Sequence, residues 1–499
     1  MNLKKIAVTL IFLSVFFLLV FCLPLQTAGP DNNKTDLPSP MESGSDILEN
    51  RVNQLLKKYH LEKAQIGIKI ISLSDPQYPE FIYQKNSSAN LSIASNVKLF
   101  TTGVALCRLG PDFKYTTTLY RSGPIKDDVL KGKLVIKSNG DPNISGRFYE
   151  GDPTAVFQKW GNRLRALGVK KIKGDLIIDD SAFDRLGQPA GWPADQMTYW
   201  YTAPVSAVSF NDNCVDITVY FDKESGTVKY GIDPPTQYVQ VINQCEPVHK
   251  KSQHVLDFHR TPGTNTIAIT GKFWTGAGPY QESITIDQPA LYFGTVFKET
   301  LLHKKGIIIT GEVKSASGGP VDETGLVLLS SEESTLLQAI EVTNKRSQNF
   351  YAEQILKTLG YLMKGPGTFA DGLTVVRDFL AQEVKMPVDS YVMLDGSGLS
   401  AGSRFSADQI IDWLIYLARH KYAEQFRESL YRPGIDVSVA NNSRLAEFKG
   451  RLWVKTGYLK NACSLSGYFK DKKGHYGVFA ILINDFSSAA SAKEFQDEL

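Results

Sequence analysis

Hydrophobic and polar positions fall into three textures along the chain. Leu48, Val52, Leu55, Leu56 and Tyr59 recur at helical spacing, with Ser45 or Asp46 ahead of them as a cap, so a helix is predicted there. Ile66, Ile68 and Ile70 then alternate with Gly67 and Lys69, as in a half-buried strand, and a second strand is expected at 81–83. Residues 95–108 open as a buried helix, because Val97, Leu99 and Phe100 are all apolar.

From about 115 to 320 short β-like runs dominate, at 133–138, 174–179, 215–221, 238–243, 266–273 and 283–287, with turn residues between them. Two helical patterns interrupt them. One is Val156, Trp160, Leu164 and Leu167, and the other covers 290–305. After 330 helices return, at 334–343, 350–362, 373–383 and 407–420. Strands are expected at 452–456, 464–469 and 476–484, and a closing helix at 489–499. The two ends share one α/β (α+β) texture. The expected organisation is therefore one domain made of 46–114 and 321–499, with 115–320 inserted as one or two β-rich modules. A chain of 499 residues is long enough for this division.

The N-terminus adds an address. Lys4 and Lys5 precede an almost wholly apolar run from Ile6 to Leu25, and the small residues Thr27-Ala28-Gly29 follow. This is the layout of an export signal cleaved near Ala28. A run of about twenty apolar residues also spans a bilayer, so an uncleaved anchor is the alternative. Either form leaves Lys4 and Lys5 in the cytoplasm and exports the rest. Bulky Phe21 before Cys22 argues against a lipoprotein. Residues 29–45, rich in Pro, Asn, Asp and Ser, read as a linker.

The formal net charge is +3 with no long run of Lys and Arg, which gives no reason to expect a nucleic-acid partner. Cys107, Cys214, Cys245 and Cys463 form no metal-ligand spacing, and the seven histidines, including His254 and His259, form no convincing ligand set. Cys214 and Cys245 either pair in an oxidising compartment or stay as buried thiols. No metal or organic cofactor is expected.

Three short motifs carry candidate chemistry. In Ser95-Asn96-Val97-Lys98 the serine and lysine lie one helical turn apart. A lysine desolvated by apolar neighbours loses its proton readily and can activate a serine hydroxyl. Alone the motif is weak, since Ser-x-x-Lys arises by chance roughly two or three times in such a chain. Ser347-Gln348-Asn349 sits between two helical segments, where a hydroxyl can relay a proton and a carboxamide can hold an amide. Lys455-Thr456-Gly457 ends the apolar run Leu452-Trp453-Val454. Lysine and threonine on an edge strand offer a charge and a hydroxyl to a carboxylate, and glycine admits a close backbone. That triplet is expected by chance roughly 0.2 times.

In this order the three motifs resemble the active-site set of penicillin-recognising serine enzymes. Ser95 and Ser347 stand 252 residues apart (347 − 95) and Ser347 and Lys455 stand 108 apart (455 − 347). The first gap is too long for a class A β-lactamase. It matches the low-molecular-mass class C penicillin-binding proteins, the D-alanyl-D-alanine carboxypeptidase/endopeptidase family. Residues 140–142, 174–179, 201–207, 395–400 and 464–468 resemble that family too. The chain departs from the pattern at Gln348, often Asp, at Tyr458, usually Thr or Ser, and at Ala401, commonly Arg.

The resemblance implies a penicillin-binding/β-lactamase-like transpeptidase fold and a serine hydrolase of peptidoglycan stem peptides and their cross-links, acylated by β-lactam antibiotics. It implies Ser95 as nucleophile, Lys98 as its base, Ser347 as proton relay and Asn349 as a substrate holder. Lys455, Thr456 and Gly457 bind the terminal carboxylate end, and the backbone N–H groups of Ser95 and Tyr458 form an oxyanion hole. It also implies that Asp195, in the inserted stretch, holds the free ammonium of a diamino acid side chain. The competing expectations are a non-catalytic peptidoglycan-binding scaffold of the same fold and a β-lactamase.

Overall fold

A computed structural model describes residues 44–75, 77–316, 319–436 and 444–499. The export signal or anchor expected at 1–28 and nearly all of the linker expected at 29–45 lie outside these residues. The segment Gln65–Leu73, read from its alternating isoleucines, is a central strand of a five-stranded antiparallel sheet. The order is Leu452–Leu459, Ala462–Lys470, Tyr476–Asn484, Gln65–Leu73 and Glu80–Lys85, so the two ends of the chain build one sheet. Strand alternation gives the sheet two buried faces. Within Tyr476–Asn484, Phe479, Ile481 and Ile483 join one core, and Val478, Ala480 and Leu482 join another.

Helices α1 (Gly44–Lys58) and the C-terminal helix, which takes Phe495 into the core, cover the first face. On the second face lie α2 (Val97–Leu109), α5 (Leu336–Lys345), α6 (Asn349–Lys364), α7 (Phe369–Phe379) and α8 (Ala407–Arg419). Two more helices, α3 (Ala155–Ala166) and α4 (Pro289–Lys305), belong to the middle region; α9 (Ala423–Ser429) and α10 (Ala489–Glu498) complete the set. Helix starts follow their caps. Thr335 accepts a hydrogen bond from the Gln338 N–H and Ser406 from the Gln409 N–H, each in a reciprocal capping box. Thr368 accepts from the Asp371 N–H, so α7 starts at Phe369, four residues before the apolar periodicity shows it.

The middle region has its own core. Leu119, Ile136, Phe157, Trp160, Ile178 and Ile217 pack with Phe293 and Phe297 of α4. Its entry strand, Lys114–Arg121, pairs antiparallel with the returning strand, Val327–Thr335. Leaving and re-entering chain therefore run side by side, and everything between them can be added without stretching the five-stranded sheet. Cys214 is buried and Cys245 half-buried, and both are free thiols held above the usual range by burial.

Candidate active site

The stretch from Leu91 to Phe100 is buried except for Ser95, which occupies a single 3-10 turn, Ala94–Asn96, ahead of α2. Ala94 holds this turn with a φ of 45°, in the left-handed region that a side chain disfavours. Lys98 follows one turn later and is fully buried. Its Nζ lies 2.9 Å from Ser95 Oγ, 2.7 Å from Asn349 Oδ1 and 2.7 Å from the Ser397 carbonyl oxygen. A neutral amine has two N–H bonds and one lone pair. Donating to Asn349 and Ser397 aims that lone pair at the Ser95 hydroxyl. Burial pushes the Lys98 ammonium down to about 7, against the pull of Asp395 and Glu353.

The second motif reaches the same place from another element. Ser347 has a φ of 56° and sits just before α6, whose first residue is Asn349. Asn349 Nδ2 donates to the Tyr201 carbonyl at 2.8 Å, so this side chain ties Lys98 to the inserted region. Ser347 Oγ accepts from Lys455 Nζ at 2.9 Å. Lys455 is buried, and burial holds its ammonium far below the usual lysine range, with Lys98 adding repulsion.

Lys455 lies on Leu452–Leu459, the edge strand of the five-stranded sheet. Lys455 and Gly457 are buried and Thr456 and Tyr458 are exposed, as strand alternation requires. A Cβ on Gly457 would stand 2.7 Å from the Ile93 carbonyl and 3.0 Å from the Ser95 nitrogen, so only glycine lets this strand lie against the serine turn. Asn96 staples the two together, donating to Ser464 Oγ at 2.6 Å and to the Lys455 carbonyl at 3.3 Å. Tyr458 turns its ring to Lys493 of α10, away from the lysine face.

Residues to which the sequence reading gave no role complete the site. The loop 395–400 wraps the fully buried carboxylate of Asp395, which accepts from the Gly398 and Ser400 N–H groups at 2.8 and 2.7 Å. Trp192, from the inserted region, donates its indole N–H to the same carboxylate at 3.0 Å. Gly398 has a φ of 77°, and a Cβ there would meet the Ala94 carbonyl at 1.9 Å. Glu353, one turn beyond Asn349 on α6, accepts from the Gly396 N–H at 3.0 Å, and Thr101 donates to the Gly396 carbonyl at 2.7 Å. These contacts present the Ser397 carbonyl to Lys98. Glu353 is fully buried, and burial pushes its carboxyl up to about 8, with Asp395 adding to the shift. A glutamate facing inward in a helix buried from Asn349 to Gly360 was the one sequence signal available.

Asp195 lies exposed in the turn Ala194–Gln196, between Trp192, bonded to Asp395, and Tyr201, bonded to Asn349. The segment 192–201 thus runs along the site with Asp195 open to solvent. Among the described residues no group of three or more His, Cys, Asp or Glu side chains is arranged to hold a metal. His254 instead accepts the Trp274 N–H at 2.9 Å.

The sequence profile of the D-Ala-D-Ala carboxypeptidase 3 (S13) family matches residues 48–499. A D-alanyl-D-alanine carboxypeptidase of Actinomadura sp. (strain R39) is 29% identical over 468 residues, covering 90% of this chain and 83% of that protein. The D-alanyl-D-alanine carboxypeptidase DacB of Haemophilus influenzae is 24% identical over 423 residues, covering 82% and 84%. The crystal structure of penicillin-binding protein 4 (dacB) from H. influenzae superposes with a TM-score of 0.75 at 24% identity, covering 89% of this chain and 97% of that one.

Proposed function

Because the chain belongs to the D-Ala-D-Ala carboxypeptidase 3 (S13) family, we propose that the Ser95, Lys98 and Lys455 cluster is its catalytic machinery. The protein is a serine-type D-Ala-D-Ala carboxypeptidase, a hydrolase with a penicillin-binding fold. The observation that carries the assignment of residues is the Lys98 ammonium, buried and pushed down to about 7, with its nitrogen 2.9 Å from Ser95 Oγ.

In the reaction, Ser95 Oγ attacks the carbonyl of the penultimate D-Ala and its proton passes to Lys98 Nζ. The oxyanion is met by the N–H groups of Ser95 and Tyr458, each worth about 10²–10³ in rate. Ser347 gives its proton to the departing amine and is resupplied by Lys455. Terminal D-Ala, or the D-amino acid of a cross-link, leaves. As the amine departs, Lys98 releases the Ser95 proton to solvent and Lys455 regains the proton it lent. Water then attacks the acyl-enzyme, and Lys98, neutral again, takes the proton of that water and returns it to Ser95 Oγ as the acyl group leaves. Lys455 and Thr456 receive the terminal carboxylate, which supplies the negative charge that the buried Lys455 lacks and so favours its ammonium form. Asn349 holds the substrate peptide as well as Lys98. Asp195, exposed on the segment that borders the site, pairs with the ammonium of a diamino acid side chain.

β-Lactams acylate Ser95 in the same way and persist there. Two carboxyls act on Lys98: Asp395, wrapped by the Gly398 and Ser400 N–H groups and the Trp192 indole, and Glu353, committed to the Gly396 N–H and protonated near neutrality. Neither is free to act as the deacylating base a β-lactamase needs. The enzyme works outside the cytoplasm, carried there by residues 1–28. Labelling with a fluorescent penicillin, followed by mass mapping, tests the assignment: the label falls on the peptide containing Ser95 and disappears in Ser95→Ala. A label elsewhere, or undiminished labelling of the variant, removes the mechanism.

A further inference from the structure

A cavity of about 600 Å3 opens between the catalytic loop and the inserted region. The residues on either side of Ser347, Arg346 and Gln348, line it together with Arg147, Asp212, Asp216 and Asp233. Ser347 and Asn349 face the lysines, whereas Gln348 faces the other way. Its Nε2 donates to Asp212 Oδ2 at 3.1 Å, and Asp212 is held by Arg147 at 2.5 Å. Gln348 is 7% exposed, and its buried Oε1 has no partner among the described residues. An acceptor left this way costs stability unless something in the cavity satisfies it.

The opposite wall carries a second costly feature. Asp216 and Asp233 are direct partners on neighbouring antiparallel strands, Cys214–Asp222 and Thr227–Asp233. Like charges in that position repel. Ser283, from the next strand, gives Asp216 a hydroxyl hydrogen bond, but neither carboxyl has an ion-pair partner among the described residues. Lys304 acts on Asp233 at a distance, and its ammonium donates to Thr154 Oγ1 at 2.9 Å. Burial drives both carboxyls above their usual range. Arg346, exposed on the catalytic side, likewise stands outside the ion pairs of the described residues. One wall asks for a cation and the other offers one.

We propose that this cavity is a second peptide site, distinct from the Ser95 cleft. It takes a short peptide with a free ammonium, held between Asp216 and Asp233, and a free carboxylate, held by Arg346. Stem peptides of the enzyme's own substrate carry both charges, an identification that rests on the peptidase reading above.

The test blocks the catalytic cleft first. Enzyme acylated by penicillin, with acylation verified by intact mass, is titrated calorimetrically with L-Lys-D-Ala-D-Ala, with its Nα,Nε-diacetyl form and with its C-terminal amide. One equivalent of the free peptide binds, and each capped form binds about tenfold or more weakly. Asp233→Asn and Arg346→Gln weaken the free peptide by a similar factor. Asp233→Asn also raises Tm without peptide, because it removes the cross-strand repulsion, which a purely structural pair of carboxyls in need of both charges would not do. The proposal falls if acylated enzyme shows no saturable binding up to millimolar peptide, if the capped forms bind equally well, or if Asp233→Asn leaves affinity unchanged. If penicillin does not acylate the protein, the peptidase reading fails. The same titration of untreated protein and of Asp233→Asn then still decides whether the cavity binds a zwitterionic peptide.

Discussion

Lys98 and Lys455 are both buried under one cleft, the first on α2 and the second on the edge strand, yet their surroundings differ. Around Lys98 the protein packs its own acids and acceptors: Asp395, Glu353, Asn349 Oδ1 and the Ser397 carbonyl. Around Lys455 it supplies a hydroxyl and a carbonyl, Ser347 Oγ and the Thr456 oxygen, and the neighbouring charge is the repulsive one of Lys98. Burial lowers both ammonium groups. At Lys98 internal carboxyls stop the fall at about 7, in the range useful for a base working near neutrality. At Lys455 no carboxyl among the described residues stops it, and on the proposed mechanism a terminal carboxylate brings the missing countercharge. On that reading the same side chain is a base where the protein completes its charges and an anion receptor where the substrate must.

The largest effect that separates the two ends is expected from arginine substitutions. Lys98→Arg lowers the rate of penicillin acylation about 10³-fold, because a guanidinium keeps its proton near neutral pH. Lys455→Arg keeps a charge in the anion site and loses about tenfold in kcat/KM for peptide, chiefly through KM. Stopped-flow acylation and peptide kinetics on both variants check this. Equal losses would mean that the two lysines are not divided as base and receptor.

The next effect concerns the border of the cleft. Asp195→Ala lowers kcat/KM for stem peptides with a free side-chain amine by about tenfold to a hundredfold, the worth of one charge-assisted contact. Penicillin acylation and hydrolysis of N-acetylated peptides stay nearly unchanged, since neither offers an ammonium. Equal losses for free and acetylated peptides would make Asp195 structural.

What the chain disclosed in advance follows from how local each feature is. Ser95 with Lys98, Ser347 with Asn349, and Lys455 with Gly457 are each contained in one turn or one strand end, so their spacing could be read directly. Alternation in Gln65–Leu73 and periodicity in α2 and α6 located the elements that carry them. Glu353, Trp192 and the Ser397 carbonyl were not legible, because each acts across 40 to 300 residues of chain through a hydrogen bond that only the fold creates. The stretch 395–400 stood out, but not the role of Asp395, whose tie to Trp192 spans the fold. Helix starts were misplaced where the cap, such as Thr368, stands several residues ahead of the first periodic apolar side chain. Thr456 belongs to the motif as written, and strand alternation leaves it exposed while Lys455 beside it is buried, a difference the triplet alone does not disclose.

The smallest effect is the most specific to the comparison, because it changes the charge around Lys98 without touching the base. Glu353 does two jobs: its oxygen holds the Gly396 N–H, and its carboxyl stays protonated up to about 8. Below that value it adds little charge, Asp395 is left as the carboxyl that supports the Lys98 ammonium, and burial keeps Lys98 largely neutral. Above it, an ionised Glu353 faces Lys98, Asp395 and Lys357 and favours the Lys98 ammonium, which opposes the loss of the base proton. Acylation by penicillin in the wild type therefore rises through pH 7 and climbs only gradually above about 8, where the ionised Glu353 holds back the last of the Lys98 deprotonation. Glu353→Gln keeps a carbonyl for Gly396 and removes the ionisation. Its profile should match the wild type near pH 7 and reach its plateau at a lower pH, with a steeper approach to it. Glu353→Ala loses the hydrogen bond as well, releases the Ser397 carbonyl, and is slower at every pH. A Glu353→Gln profile that keeps the gradual wild-type rise above pH 8 would show that the slow limb belongs to another group, and that the carboxyls packed around Lys98 do not set its basicity.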